Sequence, residues 1–128
     1  MTLKRRILWV AIMASTFIYA GVSFIVLRPY PQLPLADVLK YPLVIGLYAA
    51  ALATYIASFI VSAVIETRGK ADVAFIVRLA LLEATTIYGL VAAFLVHDWR
   101  VLIPPFVITF IGLARVFPSA AGAGAALR

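Results

Sequence analysis

One acidic side chain stands in a stretch of sequence built for hydrocarbon. Glu83 lies within residues 73–96, whose only other charged residue is Arg78. A carboxylate at the middle of a membrane helix costs roughly 2.5–3.5 kcal/mol on insertion scales, so such a residue marks a functional site by default. Hydrocarbon favours the neutral form of a carboxyl, which lets the group bind and release a proton as its surroundings change. Thr85 and Tyr88, two and five residues further on, are the expected hydrogen-bonding neighbours, and Thr86 and Thr109 offer further hydroxyls. The alternative chemistry is structural: a buried ion pair, with Arg115 as the candidate partner, or a neutral hydrogen bond that fixes helix register. A double-mutant cycle on Glu83 and Arg115 distinguishes a touching pair from a distant one. No catalytic residue is assigned. There is no cysteine, one histidine (His97, beside Asp98), and no nucleophile–base pair or phosphate-binding loop. The expectation is therefore no enzyme, no metal and no cofactor.

The elements that position Glu83 follow from hydropathy. The chain has 128 residues, 66% hydrophobic and 12% charged, too little polarity to coat a soluble core. An uncharged run, 7–27, follows the basic residues Lys4, Arg5 and Arg6. It is long enough for a bilayer core of roughly 30 Å and too long for a signal peptide, so it reads as an uncleaved first span. Arg28-Pro29-Tyr30-Pro31 ends it. A loop over 32–41 carries a short interfacial helix around 35–39. Further spans are expected at 42–65, 73–96 and 101–118, separated by the polar connection 66–72 and the interfacial group His97–Arg100, where Trp99 is the anchor. The fold class is thus all-α, a polytopic membrane protein of four transmembrane helices in one domain (1–118), followed by an Ala/Gly-rich flexible tail (119–128). Glu83 falls about ten residues into the third span, roughly 15 Å deep.

Charge sets orientation. Lys4, Arg5, Arg6, Arg68, Lys70, Arg78, Arg115 and Arg128 share one side, and Arg28, Lys40 and Arg100 the other. The positive-inside rule puts both termini in the cytoplasm, and the expected location is a bacterial inner membrane. The net charge of +6 is scattered over short loops, which argues for contact with lipid headgroups and against nucleic acid.

Two further patterns bear on assembly. Residues 11–22 align without gaps on 80–91, sharing Ala11/Ala80, Thr16/Thr85, Ile18/Ile87, Tyr19/Tyr88 and Val22/Val91, and residues 42–47 resemble 105–110. Either a helical hairpin has been duplicated or apolar segments coincide by chance. In the alignment Ala14 stands opposite Glu83. In the second span Gly46, Ala50, Thr54, Ser58 and Ser62 recur every fourth residue, and Ala49, Ala53 and Ala57 form a row beside them. Small residues at that spacing let helices approach closely in lipid, either within the chain or between protomers.

Leu79-Ala-Leu-Leu-Glu83-Ala-Thr-Thr-Ile-Tyr88-Gly89-Leu-Val91 resembles the carboxylate-bearing helix of the c subunit (proteolipid) of rotary ATP synthases. The resemblance is confined mainly to this helix. It implies an ion-carrying role for Glu83 with Tyr88 near it. Ala84 follows Glu83 where sodium-binding relatives tend to carry serine, which leans toward protons. Hydropathy makes the lipid bilayer one partner, and the resemblance adds other membrane subunits or further copies of the chain. The competing expectation is a small structural or assembly subunit of a membrane complex.

Overall fold

The structure is a computed structural model that describes residues 2–31 and 33–116. It is all-α. In chain order the helices are α1 (Thr2–Leu27), the short α2 (Leu35–Val38), α3 (Pro42–Thr67), α4 (Ala71–Val96) and α5 (Ile103–Arg115), with a 3-10 turn at Trp99–Leu102 leading into α5. α1, α3 and α4 have 26 residues each, about 39 Å of helix. They are long and apolar enough to cross a bilayer, the mark of a multi-pass membrane protein. α5 has 13 residues and is about 20 Å long.

Local chemistry explains the boundaries. α1 starts at Thr2, five residues before the uncharged run, because Lys and Arg are good helix formers and the helix continues past the hydrocarbon edge. Pro29 and Pro31 follow its end, and Pro42 occupies the first turn of α3, where its missing N–H is not needed. Gly69, with φ +76°, makes the tight turn between α3 and α4. His97 adopts the left-handed conformation, φ 55°, and closes α4, and Asp98 then caps the 3-10 turn. Where a fourth span is expected from residue 101, the structure has the 3-10 turn and then the shorter helix α5, which among the described residues is not long enough by itself to count with the three spans. The expected end of that span at Phe117 and Pro118, and the tail 119–128, lie outside the described residues.

α4 is the central helix, with α3, α5 and α1 packed around it. The α3 side of the closest pairing is a seam in which Val44, Ala51 and Ser58 recur every seventh residue, joined by Ser62. That is a coiled-coil period, so the fourth-residue row read from the sequence drifts off the interface. Ser58 and Ser62 are buried, Ala50 and Thr54 half-buried, and Gly46 exposed. The repeated hairpins do not pack alike: α5 lies closely on α4, whereas α1 and α3 hardly touch. An apolar cluster of Leu27, Val38, Val44, Val101 and Leu102 fills one end of the bundle, and Leu79, Leu82 and Leu113 fill the other. Large apolar side chains such as Ile7, Ile18, Ile25, Ile45 and Ile60 remain exposed, as they must on a lipid-facing surface.

Candidate functional site

Glu83 sits halfway along the central helix, and α1 supplies its partners. Tyr19 donates its hydroxyl to Oε1 at 3.0 Å, and Ser15 Oγ lies 3.3 Å from the same oxygen, its single proton shared with the carbonyl of Ile12 at 2.8 Å. Ser15 and Tyr19 are four residues apart and so share a face of α1. The two bonds therefore come from adjacent turns of one helix. Oε2 has no hydrogen bond among the described residues, and the side chain as a whole is half-buried.

Geometry puts this carboxyl at the edge of an open stripe. Val73, Ile76, Ala80, Ile87, Val91 and Phe94 of α4 are exposed, and Glu83 stands three residues after Ala80 and four before Ile87. α1 borders the stripe on Glu83's side through Ser15 and Tyr19. α3 packs on the opposite side of α4, against Thr85 and Arg78. Because α1 and α3 hardly meet, the stripe stays uncovered.

The residues expected around Glu83 have other places. Thr85 is buried against α3, sharing a 2.9 Å hydrogen bond with Thr54 and donating to the carbonyl of Leu81 at 3.1 Å. Tyr88 is half-buried and makes no hydrogen bond to Glu83, since five residues of α-helix turn it about 140° from the carboxyl. Arg115 is exposed at the end of α5 and pairs with no carboxylate among the described residues. Thr109 donates to the carbonyl of Leu82 at 3.2 Å, and the hydroxyl of Thr86 is buried with no partner among the described residues. Ion pairs among the described residues are Arg5–Asp72 and Arg100–Asp98, neither involving Glu83. The sequence picks out Tyr19 only as the counterpart of Tyr88 in the internal repeat, and Ser15 not at all. Their spacing of four in a lipid-facing helix was the available signal.

What the arrangement can do is narrow. A carboxyl held by hydroxyls alone keeps neutral partners in either protonation state, because a hydroxyl can donate to the anion or accept from the acid. A cationic partner would instead hold the charged form. The described residues include no cluster of ligands able to hold a metal ion.

A second polar cluster lies outside the long helices. Asp98, 3% exposed, accepts from the backbone N–H of Arg100 at 3.0 Å and from its guanidinium at 3.0 and 2.7 Å. The same guanidinium bonds the carbonyl of Leu33, tying the loop after α1 to the start of the fourth segment. These bonds from Arg100 hold the Asp98 carboxyl below the usual carboxylate range, against burial, which pushes it up. The stability it contributes is therefore complete above the ordinary aspartate value of about 4 and is lost as pH falls through the lower folded value. Asp98→Ala should cost about 0.5–2 kcal/mol at neutral pH, the worth of an N-cap side chain. Thermal unfolding in detergent checks this: the gap between variant and parent should narrow below about pH 4, and a gap that widens there refutes the assignment.

Comparison of the sequence with protein-family models and with curated proteins, and of the fold with solved structures, finds no match.

Proposed function

We propose that this chain is a four-span, proteolipid-like subunit of a larger membrane assembly, in which Glu83 takes up and releases a proton. The observation that carries the reading is a half-buried carboxyl at the middle of the central helix, partnered among the described residues by Ser15 and Tyr19 alone and lying at the edge of an uncovered apolar stripe. With no cation paired to it among the described residues, the group can change charge without breaking an ion pair. Its place at the stripe's edge lets a neighbouring subunit alter its surroundings, which is what drives exchange. The resemblance of residues 79–91 to the proteolipid helix points the same way. The fourth span consists of the 3-10 turn and α5, together about 28 Å long, close to the roughly 30 Å of the hydrocarbon core. The basic end, with Lys4, Arg68 and Lys70, faces the cytoplasm.

The two hydrogen bonds from α1 also favour a second reading, in which Glu83 is a clamp that fixes α1 on α4 within a structural subunit. Dicyclohexylcarbodiimide, which attacks protonated carboxyls from the lipid phase, separates the two. A carrier is labelled at Glu83 at neutral pH, less so as pH rises, and Glu83→Gln removes the label while the protein still folds. An unlabelled Glu83, together with loss of folding in Glu83→Gln, establishes the clamp and ends the carrier proposal.

A further inference from the structure

At the basic end of the bundle a cavity of about 150 Å³ lies between α1, α3 and α4, with Arg5 and Arg78 both in its lining. We propose that this cavity binds the phosphate of an anionic membrane lipid.

Arg78 stands two turns into α4, about 10 Å along it, where a cation has to be accounted for. Its guanidinium lies over the ring of Phe59, 5.0 Å from the centroid, and its Nε reaches the carbonyl of Ser58 at 3.5 Å. No carboxylate among the described residues is within ion-pair distance of it. Arg5 lies over Phe75 at 5.4 Å, and spends Nε and Nη2 on Asp72, at 3.1 and 2.8 Å. Stacking on Phe59 fixes the planar guanidinium of Arg78 and leaves its two Nη groups for bidentate binding of phosphate, while Arg5, committed to Asp72 through Nε and Nη2, has Nη1 to offer. The level is right for a headgroup, beside the start of α4 and at the bundle end that carries most of the positive charge.

Glu66 is the carboxylate in the lining; it is exposed and paired with neither arginine. It opposes any anion, and opposes a dianion more than a monoanion. That favours the singly charged phosphodiester of a lipid over free inorganic phosphate. The inference stands apart from the proton reading, since Glu83 takes no part in it.

The test uses the full chain purified in a neutral detergent. Phosphatidylglycerol should survive native mass spectrometry on the protein at least tenfold better than phosphatidylcholine, and should raise Tm where phosphatidylcholine does not. Arg78→Gln should lose roughly tenfold in phosphatidylglycerol retention, as expected for one charge-assisted contact, and Arg78→Lys should lose part of it. Arg115→Gln, which removes an exposed charge from the same end, should retain lipid as the parent does. Equal retention of the two lipids by the parent overturns the proposal, a result that needs no variant to fold. So does a loss in Arg115→Gln as large as in Arg78→Gln, which indicates diffuse attraction. Millimolar inorganic phosphate raising Tm as much as phosphatidylglycerol overturns the lipid assignment.

Discussion

Adding a single methyl group at Gly89 is expected to force α4 and α5 apart and to cost about 1–3 kcal/mol, the usual penalty for overpacking a well-packed site. A Cβ there would stand 2.7 Å from both Cβ and Cγ of Pro105 and 3.2 Å from Cδ1 of Leu102. Pro105 is buried in the first turn of α5, and its ring cannot turn aside, so relief requires moving the helix itself. Gly112, on the facing helix, meets Leu82 and Tyr55 instead. Those are side-chain ends that can change rotamer, so Gly112→Ala should cost less than Gly89→Ala. Gly46 supplies the control, with nothing within 4 Å of a Cβ added to it. Gly46→Ala should be neutral or stabilise by about 0.5–1 kcal/mol through helix propensity alone. Reversible unfolding in mixed micelles gives all three values. If Gly89→Ala is as stable as the parent, α4 and α5 do not approach as described.

The ordering of those three glycines shows what hydropathy can and cannot reveal. Spans are legible because the bilayer demands long apolar runs, and Pro29, Pro31, Pro42 and Gly69 punctuate them. α1, α3 and α4 emerge within a few residues of their expected limits for that reason. Partner choice is not legible in the same way. A helix apolar all round has no face that hydropathy can single out, so the row containing Gly46 and Ser58 looked uniform, while the structure uses only part of it. Glu83 was conspicuous because charge in hydrocarbon is rare, but its neighbours could not be read from proximity in sequence. Thr85 and Tyr88 follow it closely, yet helix rotation carries each away from the carboxyl. The hydroxyls that bond it are 64 and 68 residues distant, on a helix whose position depends on how α4 is surrounded.

Removing those hydroxyls should loosen the contact between α1 and α4. In the Ser15→Ala, Tyr19→Phe double variant, Oε1 loses both of its neighbours on α1. A hydrogen bond contributes about 0.5–1.5 kcal/mol net, so the double variant should unfold about 1–2 kcal/mol more easily in mixed micelles. Tyr19→Phe alone should supply the larger share, because its 3.0 Å bond is shorter than the 3.3 Å bond of Ser15. Both readings of Glu83 predict some loss of stability, since α1 is held to α4 through this contact. They differ in the labelling. A carrier keeps a carboxyl that carbodiimide labels while the variant is still folded. A clamp stays unlabelled while α1 holds and is exposed only as the fold loosens, so that labelling follows unfolding and not pH. If Glu83 stays unlabelled in the folded double variant and is labelled only as the variant unfolds, the proposed exchange loses its physical basis.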